Sequence, residues 1–443
     1  MLINFSIENW MSFRDKCTFS LVATRERQHG NRVPYIKKYK TKVLPVGVIY
    51  GGNASGKSNL MEALVFAKEF IINGIDPDET IPVAPFLLDN KNHSESLTTF
   101  TFEILAENII YEFTFSVNSR KVQNEKLIMI GSNSEKLLYK REGSTFEYNE
   151  KIFEDNKFID YVYKGTRNEK LFITNAISQN VKELLPIYNW FKKTLILISP
   201  TSSYKGINNL VEDELQNKLM SKTLSEFDTG ISKIGLEKIT TIEKMLSEEI
   251  IADMKKDLKD GEGGVVLNPI TGKIDVKKVN GELTIEKICT YHKDQENNNI
   301  KFNIHQESDG TRRLIDLLPA FFDIIKLGAN RVYFIDEFDR SLHTLLTKRL
   351  LNEYLDSCTL ESRAQLVFST HDVLLMDQDL LRRDEMWVTE RNQEGATSII
   401  SFSDFKEVRY DKDIRKSYLL GRLGGIPRFL LKDSIGKSLD KKS

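Results

Sequence analysis

The stretch VLPVGVIYGGNASGKSNLMEAL, residues 43–64, places an apolar strand-like run directly before a glycine-rich loop and a segment of helical periodicity. Gly51, Gly56, Lys57 and Ser58 satisfy the spacing GxxxxGK(S/T). In such a loop bare backbone N–H groups wrap phosphate oxygens, the lysine reaches the terminal ones and the hydroxyl is left for magnesium. Val43 to Tyr50 supplies the strand, and Leu60, Ala63, Leu64, Ala67 and Ile71 recur at helical spacing after the loop. A helix starting there turns its positive end to an anion, so strand, glycines and helix must follow one another without a gap. The candidate ATP-binding residues are Gly51, Asn53, Ser55, Gly56, Lys57, Ser58 and Asn59, and the fold class expected is α/β.

Composition bounds what surrounds this loop. The chain has 443 residues, 40% of them hydrophobic, enough for two or three structural units with a substantial core. A formal net charge of -1 gives no global pull towards nucleic acid or an anionic membrane. Cys17, Cys289 and Cys358 are odd in number and in no ligand spacing, so neither a disulfide framework nor a zinc site is expected, and a reducing cytosol fits. The opening MLINFSIENW alternates Ile3, Phe5 and Ile7 with polar residues, a strand pattern and not that of a signal peptide. No run approaches the length of a membrane span.

Along the chain, residues 1–23 read as a hairpin turning at Ser12 to Lys16, and Thr98 to Glu103 and Ile110 to Val117 alternate again, so an antiparallel β layer is expected within residues 1–179. Residues 180–258 read as a charged helical lobe, interrupted by Pro186, by LILIS at 195–199 and by DTGIS at 228–232. Residues 259–300, with NPITG, VNGE and DQENNN, read as exposed hairpins or a mobile loop. There is no internal repeat and no sustained heptad.

Residues 301–443 carry the remaining chemistry. RVYFIDEFD, 331–339, is an apolar strand delivering two adjacent carboxylates to its end, where a parallel sheet meets its ligand. Asp336 is the expected magnesium partner of Ser58, and Glu337, one residue on, the base that polarises the attacking water. QLVFSTHD, 365–372, repeats the geometry and puts His371 at a strand end, within reach of a γ-phosphate or its attacking water.

This order of motifs resembles the ABC-type ATPases, a superfamily that includes transporter motors and SMC-like repair proteins. Glu307, Ser308, Gly310 and Thr311 match its signature element, a Ser-x-Gly core opening a helix, which in the family binds the γ-phosphate held by a partner subunit. The resemblance puts Asp339, Ser341 and His343 at the D-loop, facing across a dimer. Within the superfamily the chain is similar to bacterial OLD- and RloA-type ATPases, the group that includes the AriA subunit of the PARIS anti-phage system. The residues that carry this are INFSIENWMSFRD at 3–15, PFLLD at 85–89, the DTGI turn, STHD, LRRDEMW at 381–387 and YLLGRLGGIP at 418–427. Two departures stand out: Asp309 replaces a glycine usual in transporter signatures, and no glutamine between 72 and 120 can serve as the Q-loop.

The resemblance implies an ABC-type P-loop ATPase head with a mixed sheet, an N-terminal antiparallel β layer and an inserted helical lobe, using ATP and Mg2+. It implies a homodimer closed over two ATP molecules, or a higher homo-oligomer, acting in the cytoplasm in phage defence. A phage-encoded trigger would be sensed, and a separate effector held or released, a TOPRIM-type or other nuclease. An SMC-like DNA-binding ATPase is the first alternative, weakened by the missing coiled coil and the neutral charge. The second is a self-contained OLD-type nuclease, but only about seventy residues follow His371, and Asp411 with Asp413 is a lone DxD. Contact with nucleic acid stays open.

Overall fold

The computed structural model describes residues 1–77, 79–89, 93, 95–153, 155–200, 211, 213–239, 246–260, 263–268, 272–405 and 414–425. The chain divides into two compact units. The first comprises Met1–Thr201, Ile324–Asp339 and Thr347–Ser443, and the second Ser202–Asp323 and Arg340–Leu346.

The first unit is built on a six-stranded sheet ordered Leu195–Ile198, Val332–Ile335, Gln365–Ser369, Val46–Tyr50, Met386–Arg391 and Thr397–Ser401. The first five run parallel and the last pairs antiparallel, so the sheet is mixed. Val46–Tyr50, Val332–Ile335 and Gln365–Ser369 are buried at every residue, as continuous apolar strands covered on both faces must be.

A seven-stranded antiparallel sheet forms the other layer, ordered Thr145–Tyr148, Glu135–Glu142, Val122–Ile130, Ile109–Val117, Thr98–Ala106, Leu2–Glu8 and Cys17–Ser20. Its alternation is read correctly at Ile3, Phe5 and Ile7, all buried. The helix Lys57–Ile72 buries Leu60, Met61, Ala63, Leu64, Ala67, Phe70 and Ile71, and its residues share one core with both sheets. Phe66 meets the rings of Trp10 and Phe100 at 5.1 and 5.3 Å, and Phe70 meets Phe115 at 6.0 Å, which fixes the helix that follows the nucleotide loop against the antiparallel layer.

The second unit departs from the helical lobe expected over 180–258. Leu195–Ile198 is the edge strand of the central sheet, parallel to Val332–Ile335, and residues 180–200 belong to the first unit. Between the helices Glu214–Glu226 and Glu248–Asp257 lies a nine-residue strand, Ile231–Ile239. It pairs with Glu282–Lys293, which also pairs with Gly272–Val279 and Asn299–Asn303, while Gly263–Asn268 closes the hairpin with Gly272–Val279. The apolar positions of ISKIGLEKI sit at mixed spacing, and a partner about fifty residues away decides between strand and helix. The hairpins expected over 259–300 are present: Asn280 and Gly281, both at positive φ, turn the chain so that Val279 faces Glu282. Residues 301–323 and 340–346, expected within the ATPase head, belong to this unit. Leu210, one of the apolar residues of the lobe expected over 180–258, and the pair Asp411 and Asp413 lie outside the described residues. Among the described residues no helix is long and apolar enough to cross a membrane.

Candidate functional site

Gly56 begins the helix Lys57–Ile72 at φ +108°, and a Cβ there would lie 2.6 Å from Thr397 Oγ1 and 3.0 Å from Ser12 Oγ. No other residue type fits this left-handed, crowded position. Thr397 Oγ1 lies 2.8 Å from Ser12 Oγ and 3.0 Å from the Ser55 carbonyl, and Ser55 Oγ pairs with Thr389 Oγ1 at 2.7 Å. Hydroxyls from the neighbouring strands and from Ser12 thus brace the loop. Asn53 and Ser58 are exposed. Asn59 differs from its expected place: its Nδ2 donates to Ser12 Oγ at 2.7 Å and its carbonyl accepts Trp10 Nε1–H at 3.0 Å, tying the helix to the N-terminal hairpin.

Lys57 is only 6% exposed, and its ammonium donates to the carbonyls of Gly51 at 2.9 Å and Gly52 at 3.0 Å. Burial lowers its pKa from 10.5 to about 8, against the pull of Asp336, Glu337 and Asp339. The parallel register places Ile335 beside Phe368 and Phe368 beside Val48, which aligns the carboxyl ends of three strands. At those ends Ser369 joins the pieces. Its hydroxyl donates to the buried Asp336 carboxylate and accepts the Glu337 N–H at 2.9 Å, while its carbonyl accepts the Phe338 N–H at 3.0 Å.

Glu337 sits at φ 47°, a left-handed conformation that costs about 1–2 kcal/mol for a residue of its kind, and the Ser369 bonds hold it there. His371 follows two residues after Ser369 and is exposed. Partial removal of its ring from water and then the Lys57 ammonium pull its pKa below the usual imidazole value, with Asp339, Glu337 and Asp336 opposing. Asp339 Oδ1 is shielded and has no hydrogen-bond partner among the described residues.

In the second unit Ser308 caps the helix Asp309–Ile324, its Oγ accepting the Thr311 N–H at 3.1 Å and pairing with Thr311 Oγ1 at 2.9 Å. A Cβ on Gly310 would stand 2.5 Å from the carbonyl of Ser341, which is itself at φ 61°, so signature and D-loop pack backbone to backbone. His343 Nδ1 accepts the Leu345 N–H at 3.2 Å. Glu307, expected to meet nucleotide held by a partner subunit, has its carboxylate engaged within its own unit. Its carboxylate is bonded by Thr290 Oγ1 and lies 2.7 Å from His292 Nε2, anchoring the turn before Ser308 to the strand Glu282–Lys293.

Residues 47–377 match the family model described as "AAA domain, putative AbiEii toxin, Type IV TA system". The chain belongs to this AAA-domain family. Two solved structures cover 90% of this chain. They are an SMC head bound to the C-terminal winged-helix domain of ScpA, at 12% identity over 97% of that chain with TM-score 0.40, and the SMC head domain from Thermotoga maritima, at 11% identity over 98% with TM-score 0.34. No curated protein sequence matches the chain.

Reading the motifs alone misses Ser12, Ser369, Thr389 and Thr397. Only Ser369 leaves a trace, as a polar residue closing the apolar strand QLVFS. The other three act through partners more than 40 residues away, which no local pattern encodes.

Proposed function

We propose that this AAA-domain protein binds and hydrolyses ATP, and that its nucleotide state gates a separate effector in anti-phage defence. One observation carries the first half: Ser369 holds Asp336 and Glu337 on the strand next to the one that aligns with the nucleotide loop, and both carboxylates act on the buried Lys57. The residues suit a nucleotide, since the left-handed Gly56 opens a helix whose first residue, Lys57, brings a buried ammonium beside the strand-end acids. Magnesium suits the donor set as well, a hydroxyl and a carboxylate being hard oxygen ligands, and Ser58 and Asp336 would hold it. When bound, the ion supplies charge neutralisation at the phosphates.

In this reading Lys57 leaves the Gly51 and Gly52 carbonyls for the terminal phosphate. Glu337 takes a proton from the attacking water, and the His371 ring hydrogen-bonds the γ-phosphate or that water. Ser308, Gly310 and Thr311 complete the site of a second copy, so an intact γ-phosphate strengthens a homodimer and its loss weakens it. Asp339, Ser341 and His343 face the same partner.

The defence role rests on the similarity to OLD- and RloA-type ATPases, the AriA kind among them, and is supported by the family's description as part of a toxin–antitoxin system. In this reading the effector is a separate nuclease, in the cytoplasm with this chain. Phosphate release from ATP by the purified chain, lost in Lys57→Ala, tests the enzymatic half. For the gating half, the product of a neighbouring gene should co-purify with Glu337→Gln and not with Lys57→Ala. Equal recovery with both variants would sink it.

A further inference from the structure

The motif YLLGRLGG, residues 418–425, has no part in the chemistry above. Structurally it lies against the nucleotide loop. The helix Ile414–Leu419 buries Ile414 and Tyr418, four residues apart on one face, and Leu423 is buried after it. Gly424 and Gly425 follow, both at φ +70°. A Cβ on Gly425 would lie 2.2 Å from Val388 Cγ2 and 3.3 Å from the Thr389 carbonyl, so the turn is seated on the strand Met386–Arg391 beside the nucleotide strand. Tyr418 continues an aromatic row, Tyr50 to Phe402 at 6.1 Å and Phe402 to Tyr418 at 6.3 Å.

From this turn a chain of hydrogen bonds runs to the site. The Gly425 carbonyl accepts the Tyr418 hydroxyl at 3.1 Å and the Gly52 N–H at 2.8 Å. The Gly52 carbonyl in turn accepts Lys57 Nζ at 3.0 Å. Gly52 therefore has its N–H held by residues 414–425 and its carbonyl held by the lysine that must move when phosphate arrives. With the N–H anchored, departure of Lys57 leaves the first turn of the loop in place. Without that anchor, the loop is free to collapse on itself and the ligand must reopen it, which weakens binding.

We propose that residues 414–425 are a positioning clamp for the nucleotide loop: Tyr418 and the Gly424 and Gly425 turn hold Gly52 so that the loop stays open to phosphate. Because linkage is reciprocal, bound nucleotide must also hold the clamp in its seat. The clamp rests on the reading of this loop as an ATP site.

The test uses the full chain with Tyr418→Phe, which removes one hydroxyl, and Gly425→Ala, alone and with Val388→Ala to relieve the contact. Titration with a fluorescent ATP analogue, steady-state ATP turnover and thermal melting without nucleotide are measured together. Loss of one anchoring hydrogen bond predicts KM and analogue Kd raised about five- to tenfold, with kcat within about twofold and melting little changed for Tyr418→Phe. Val388→Ala should restore part of the affinity lost in Gly425→Ala. Limited proteolysis should show residues 414–425 protected by the analogue in the parent and not in Lys57→Ala. A parent that binds nucleotide while both clamp variants bind it equally well would overturn the clamp alone. A parent that binds none would overturn the ATP reading and the clamp with it.

Discussion

Lys57 carries its charge in a place that disfavours it, and this makes the site's response to pH readable. Its folded pKa of about 8 lies below the ordinary 10.5, so between these values an unfolded chain holds a proton that the folded one lacks. Stability from this group therefore rises with pH across that window, and the buried charge weighs against the fold below it. Phosphates brought to the ammonium raise the pKa again. ATP binding at about pH 9 should then take up a proton, visible as a dependence of the calorimetric binding enthalpy on the buffer's ionisation enthalpy, and fading towards pH 7. An enthalpy independent of buffer at the higher pH would count against the placement of Lys57. For Glu337, replacement by glutamine keeps volume and hydrogen bonding but removes the base. Turnover should fall on the order of a hundredfold or more while analogue binding persists. Parental turnover in Glu337→Gln would show that another group is the base. Both residues were legible from spacing alone, because a phosphate loop and an acid pair at a strand end are local patterns. Ser369, Thr389 and Thr397 were not, since each acts on a residue that the chain brings back from far away.

At the scale of elements, the helix Glu214–Glu226 presents two faces of different character. Asp213 caps it through the Gln216 N–H at 2.9 Å, and Met220 and Leu224 are buried while Leu215 and Leu219, one turn apart, stay exposed. Asn217 Nδ2 donates to the Ile234 carbonyl at 3.0 Å and Ser221 Oγ accepts the Ile234 N–H at 3.1 Å, which turns the helix so that Met220 faces the strand Ile231–Ile239. We propose that this exposed pair docks the separate effector. Leu215→Asp with Leu219→Asp should leave phosphate release intact and abolish effector co-purification. By contrast Met220→Ala should destabilise the second unit by about 2–5 kcal/mol in denaturant melts. Retention of the effector by the double aspartate variant would remove this face from consideration.

Across the whole molecule, a site completed by a second copy cannot be restored within a single chain. Lys57→Ala disables the loop side and Ser308→Arg the signature side. Each variant alone should be inactive, and a mixture should regain turnover in at most one of the two sites per dimer. No recovery at any ratio would argue against the shared site.

The strand–loop–helix at 46–72, the acid pair, the strand that closes at Ser369 two residues before His371 and the alternating antiparallel layer are each written in consecutive residues, by period, glycine placement or a closing polar group. Tertiary structure decided the rest. LILI became the edge of the central sheet by pairing with Val332–Ile335, and ISKIGLEKI became a strand through Glu282–Lys293. Glu307 turned inward to Thr290 and His292, and Gly425 came to rest on Gly52. In each case hydrogen bonds between residues far apart in the chain outweigh a weak local preference, and only the folded chain brings those residues together.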